Sequence, residues 1–144
     1  KKVLEALKEK VGEIAADFEA CRLQSAANGV IGISRLGNQY LNDKEPWNLI
    51  KRDRAKAATV IYVAAQLVKA LAITSAPIIP FTAEELWKTL NLQGSVHQQR
   101  WDEALKPLPA GHKIAEAKPL FRKVEADEKK LDEMLEKVRK AMAK

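Results

Sequence analysis

The spacing of apolar residues in this chain dictates an all-α protein: a bundle of about four main helices plus a C-terminal one. Three observations lead there. Apolar side chains recur at three- and four-residue steps through several long segments. The strict alternation that marks a half-buried strand is almost absent. Proline, glycine and aspartate fall between the periodic segments and not inside them. At 144 residues, the chain fits one domain with a core of its own.

The first helix is expected from Lys1 to about Glu19, with Val3, Leu4, Leu7, Val11, Ile14, Ala15 and Phe18 on one stripe. No capping residue precedes Val3, so the chain is expected to continue a longer polypeptide. A break at Ala20-Cys21-Arg22 leads into a second helix, about Leu23 to Leu41, whose apolar face reads Leu23, Ala27, Val30, Ile31, Ser34 and Leu41. Gly29, Gly32 and Gly37 interrupt it, each at a cost of roughly 1 kcal/mol against alanine. Such a cost fits a face against which a neighbour packs closely.

A polar turn, Asn42 to Glu45, ends that helix, and Pro46-Trp47 restarts the chain. Proline suits a first helical turn because its φ is already helical and it lacks only an N–H that would have no partner there. Asp53 is a good N-cap for the next helix, about Arg54 to Thr74, which is the most apolar and is read as central. Ala57, Val60, Ile61, Ala64, Leu67, Val68 and Leu71 form its stripe. Two prolines in Ala76-Pro77-Ile78-Ile79-Pro80-Phe81 predict an extended bend. Thr82 and Glu85 have capping-box spacing for a helix to about Asn91, carrying Leu86, Trp87 and Leu90. A long connection follows, with a helical turn at Trp101–Leu105 and apolar patches at Gly111–Ile114 and Pro119–Val124 expected to dock back on the bundle. Leu131, Met134, Leu135, Val138 and Met142 mark the last helix. The division expected is 1–124 for the bundle and 125–144 for an amphipathic C-terminal helix.

Net charge is +6, which permits a polyanionic partner without demanding one. No uninterrupted apolar run approaches the roughly 18–20 residues of a membrane span, and the N-terminus has no signal-peptide pattern. The one cysteine, Cys21, has no internal partner and reads as a small buried hydrophobe. A cytoplasmic protein is the default expectation. Catalysis has no support in the sequence: it holds no Gly-rich phosphate loop, nucleophile–base set or metal-ligand spacing. His97 lies in a Gln-rich loop, and His112 after Gly111 reads as a structural hydrogen bonder.

RNA binding is the stronger candidate. Readers of unpaired RNA stack bases on aromatic faces and hold the backbone with cations. Trp47 has Lys44, Lys51, Arg52 and Arg54 within a few residues. Pattern alone still favours a core tryptophan beside a solvated basic turn, because tryptophans are mostly buried.

Asn38-Gln39-Tyr40, then Pro46-Trp47, then Lys51 resembles the Asn-x-Tyr…Pro-Trp…Lys motif in the anticodon-binding domain of methionyl-tRNA synthetases. The resemblance continues in order through Ala76–Trp87, Gly111–Ile114 and Pro119–Val124, in an archaeal or eukaryotic style, and covers roughly Lys8 to Glu128. It implies a helical anticodon-binding bundle, with tRNA bearing a CAU anticodon as partner. The residue matching the family's stacking tryptophan is Trp47, fixed by Pro46. Asn38 and Tyr40 match motif positions that either touch RNA or hold the corner. Glu45 stands where some members have alanine. By the same resemblance, an upstream anticodon-reading helix, the ATP-using catalytic domain and any zinc knuckle belong to the parent enzyme and not to this stretch, which is expected to hold no cofactor itself. Two alternatives stay open: the bundle of another class I synthetase, valyl or isoleucyl, and a non-RNA helical module that self-associates through its C-terminal helix.

Overall fold

The computed structural model describes residues 2–121 and 128–142. Arg122, Lys123, Val124 and the expected start of the last helix at 125–127 lie outside the described residues. Among the described residues six α-helices occur in order: α1 Lys2–Glu19, α2 Leu23–Lys44, α3 Pro46–Leu49, α4 Arg54–Ser75, α5 Pro80–Thr89 and α6 Glu128–Met142, with 3-10 turns at Val96–Gln98 and Trp101–Leu105. No strand occurs among the described residues.

α4 is the axis of the bundle. α1, α2, α3, α5 and both 3-10 turns pack on it. Its C-terminal half is buried nearly all round, from Gln66 to Ser75. By length and composition it would also cross a bilayer, yet half of its most apolar stretch is buried in protein. Its buried polar side chains have partners, as burial requires. Thr74 Oγ1 donates to Ala70 O at 2.9 Å, and Lys69 Nζ donates to Lys106 O at 3.1 Å. Burial pushes the Lys69 ammonium below its ordinary pKa, because a low-dielectric site disfavours the charged form.

α1 presents Leu7, Val11 and Ile14 to the core. Leu4, expected on that stripe, is exposed and instead lines a cleft beside Tyr62 and Leu105. The face of α2 also differs from its apolar count. Leu23 and Ile31 are exposed, while Ala26, Val30 and Ile33 are buried. Small residues decide the face, because they let α1 approach. A Cβ on Gly29 would lie 2.6 Å from Ile14 Cγ1. Cys21 is exposed, not buried, at the α1–α2 turn, with a left-handed φ of 55°. Arg22 Nε bonds Asp17 Oδ1 across that turn at 2.8 Å.

Two further expectations fail at α5. The segment 76–79 is a turn continuing from α4 and not an extended bend, with Ile78 and Ile79 N–H groups both donating to Ser75 O at 2.9 Å. The Thr82–Glu85 capping box does not form. Pro80 takes the first helical position and Ile79 the cap, which places Thr82 inside the helix. Trp87 is buried, and its Nε1 donates to Gln93 O at 3.2 Å. Trp101 docks the connection onto α1: Nε1 donates to Val11 O at 3.1 Å, and the ring packs edge-on to Phe18 at 5.9 Å. Of the patches expected to dock, Ile114, Leu120 and Phe121 keep exposed side chains. On α6, Met134, Leu135, Val138 and Met142 are exposed too.

Glu84 Oε2 accepts from Ser95 Oγ and Val96 N, both at 2.9 Å, fastening α5 to the 3-10 turn. These two bonds hold its carboxyl below the ordinary 4.5. A depressed acid stabilises the fold above its unfolded pKa and loses that contribution as pH falls through the folded one. Glu84→Gln is therefore expected to cost about 1 kcal/mol at neutral pH, with the difference shrinking below pH 4.5 in a series of thermal melts. Gly29→Ala is expected to cost about 1–2 kcal/mol in urea unfolding, since overpacking against Ile14 outweighs the gain in helix propensity.

Candidate nucleic-acid interface

The Pro46-Trp47 corner is built by local backbone chemistry. α2 runs to Lys44, past the expected end at Leu41, and the reversal falls on one residue. Glu45 has φ 41° and ψ 58°, the left-handed conformation that closes helices. Its N–H donates to Leu41 O at 2.9 Å, which satisfies the end of α2. Its C=O accepts from Asn48 and Leu49 N–H groups at 2.9 Å, which starts α3. Asn48 Nδ2 adds a bond to Glu45 Oε2 at 3.2 Å. Pro46 is the buried first residue of α3. At the far end, Asp53 caps α4 by accepting from Lys56 N at 3.0 Å. That amide, with the Lys56 ammonium, holds the Asp53 carboxyl below its ordinary range.

Trp47, between these two fixed ends, is 53% exposed. Its ring does not plug the core. Beside it runs an apolar groove of about 620 Å³ between α3, α4 and the strap of chain after the second 3-10 turn. It is lined by Pro46, Trp47 and Ile50 at the corner, by Ala58, Ile61 and Ala65 of α4 with Arg54 at its start, and by Gly111, His112 and Ile114 of the strap. Ile61, expected in the core, is exposed here, as are Ile50 and Ile114.

The structure thus brings Trp47, Pro46 and Arg54 to one concavity and separates the other expected residues. Lys51 and Arg52 are exposed on the linking turn. Lys44 lines a different cleft with Tyr40. Asn38 is exposed and lines a narrow cleft between α2 and α4, away from Trp47. Tyr40 packs against the core, and burial raises its hydroxyl pKa. None of the four cations Lys44, Lys51, Arg52 and Arg54 has an ion-pair partner among the described residues.

The segment around Gly111–Ile114 docks back on the bundle as expected, with His112 as a structural hydrogen bonder, but through polar tethers and not through its apolar side chains. Tyr62 Oη donates to Leu108 O at 2.7 Å, His112 Nε2 donates to Leu90 O at 2.6 Å, and Asn91 Nδ2 donates to Lys113 O at 3.1 Å. Among the described residues, no group of three or more His, Cys, Asp or Glu is placed to hold a metal ion.

Glu45 carries backbone strain that glycine would not. Glu45→Gly is expected to be neutral to about 1 kcal/mol stabilising, and Glu45→Val to be destabilising by about 1 kcal/mol, in thermal unfolding.

A family model described as the anticodon binding domain of methionyl tRNA ligase matches residues 1–140. Methionine–tRNA ligase of Aeropyrum pernix is 40% identical over 139 residues, which is 95% of this chain and 24% of that protein. The ligase of Methanobrevibacter smithii is 40% identical over 127 residues, 88% of this chain and 18% of that protein. That of Christiangramia forsetii is 39% identical over 144 residues, 95% of this chain and 20% of that protein. The chain thus spans a quarter or less of the length of these relatives. With its all-α bundle and its Pro-Trp corner, the chain belongs to the family of anticodon-binding domains of methionyl-tRNA ligases.

Proposed function

We infer that this domain recognises the CAU anticodon of methionine tRNA, so that the ligase of which it is a part charges that tRNA with methionine. The observation that carries the reading is the exposed Trp47 ring, 53% in solvent, on a corner fixed by Glu45, Pro46 and Asp53. An unpaired anticodon base stacks on the free indole face, and stacking of this kind is worth roughly 1–3 kcal/mol per base. Lys44, Lys51, Arg52 and Arg54 surround the ring in sequence with unpaired charge and meet the phosphates, which makes binding salt-dependent. Tyr40 supports the corner from inside. Asn38 takes a secondary part at the edge of the RNA. Forming methionyl-adenylate with ATP falls to the catalytic domain of the same polypeptide, in the cytoplasm.

Trp47→Ala in the full-length ligase is expected to lower kcat/KM for charging the CAU-bearing tRNA by about 5- to 150-fold, the equivalent of one stacked base. Methionine-dependent ATP–pyrophosphate exchange, which needs no tRNA, is expected to stay within about twofold. Equal losses in the two assays would remove the reading role from Trp47.

A further inference from the structure

We propose that α6 is a pairing helix: it lies end for end against α6 of a second copy of the ligase, along the stripe through Leu135, Val138 and Met142. The proposal is independent of the reading of Trp47.

The stripe comes first. α6 runs from Glu128 to Met142 and is not one of the helices that pack on α4. Met134, Leu135, Val138 and Met142 are all exposed, Met142 at 84%. One side of an otherwise charged helix is therefore apolar and in water, which marks a contact surface. With Leu131 counted in, the steps from 131 to 135 to 138 to 142 are four, three and four, the spacing of a seam between two helices.

Charge selects the occupant and its direction. Between 132 and 140 every acid precedes every base: Asp132, Glu133 and Glu136, then Lys137, Arg139 and Lys140, all exposed. A second copy turned end for end sets acid against base, whereas a parallel copy sets like charges level. Helix dipoles favour the same opposed direction.

The register follows from the seam. Turned copies bring Leu135 against the partner's Val138, and Leu131 level with the partner's Met142. Asp132 and the partner's Arg139 then both fall between those two layers, on one side of the seam. The twofold axis repeats the contact, so one helix supplies both halves of two ion pairs. On the other side Met134 widens the apolar contact. In a parallel pair Arg139 would meet the partner's Met134 and gain nothing. Glu136 and Lys140 are already paired with each other within the helix, at 3.5 Å.

Size sets the strength. The 15 residues of α6 pair over about 22 Å, a small contact beside a standard stable interface. The dimer therefore forms at about 10–100 μM and dissociates on dilution. Exposed ion pairs add little to its strength and serve to fix direction and partner.

The test is sedimentation velocity of the full-length ligase from about 1 to 200 μM, a range that brackets the expected affinity. Asp132→Arg and Arg139→Asp each place like charges at both sites of a dimer with itself, and each is expected to raise the dissociation constant about tenfold. An equimolar mixture of the two variants is expected to return to within about twofold of the wild type. One chain then brings only arginine to those sites and the other only aspartate. Recovery in the mixture also reports that α6 stays folded in both variants, since a melted helix would not recover. Val138→Glu is expected to abolish the association. A wild type without concentration dependence over that range, as when α6 folds onto its own bundle, would overturn the proposal. So would equal association in all variants, or a mixture as weak as the single variants, since contact through another surface or a parallel pair predicts no recovery.

Discussion

The structure depends on what rests against α4. Every other described helix except α6, and both 3-10 turns, pack on it, so its burial organises the core in one step. Its C-terminal half is enclosed on nearly all sides. Toward its N-terminus the enclosure opens, and the stripe through Ala58, Ile61 and Ala65 faces the groove. The groove therefore runs along the less buried part of the same helix that carries the core.

The corner is held by local backbone chemistry. A stacking platform is useful to the extent that its ring is placed before the base arrives, since ordering a side chain or loop on binding costs free energy. Here the φ of Pro46 is fixed by its ring, Glu45 closes one helix and opens the next, and Asp53 caps α4 within a few residues. The strained φ at Glu45 is held by the helices on both sides of it. Strain of this sort persists where its surroundings over-determine it, often beside a functional group.

Much of this was legible in the sequence, and what was not has physical reasons. Helix existence, the centrality of α4, the Asp53 cap and the buried role of Trp87 follow from periodicity and capping chemistry. The buried face of α2 does not, because counting large apolar residues points to Leu23 and Ile31, whereas close packing against Ile14 selects the glycine side. The capping box at Thr82 lost to Pro80, whose missing N–H makes it the cheaper first residue. The break at Cys21 was read correctly but its burial was not, because a residue at a helix–helix turn faces solvent. Of the site residues the sequence pointed to, Trp47, Pro46 and Arg54 converge on one groove, while Asn38 and Lys44 line other clefts and Lys51 and Arg52 lie on the linking turn. Docking of the strap and the structural role of His112 were also legible, but not its partners Asn91 and Tyr62 or the groove it borders, because those depend on single hydrogen bonds far apart in sequence.

The exposed isoleucines raise a last question of energy. Fully burying one such side chain is worth about 1.5–3 kcal/mol, so collapse of Ile114 onto Ile61 and Trp47 would be favourable if the strap were free to move. Its tethers oppose that. Each hydrogen bond contributes about 0.5–1.5 kcal/mol net, and Leu108, His112, Lys113 and Ala115 are all held. Summed, those bonds are of the same order as what burying one such side chain would gain. Polar tethers at the rim of the groove therefore oppose the apolar attraction across it with a comparable free energy.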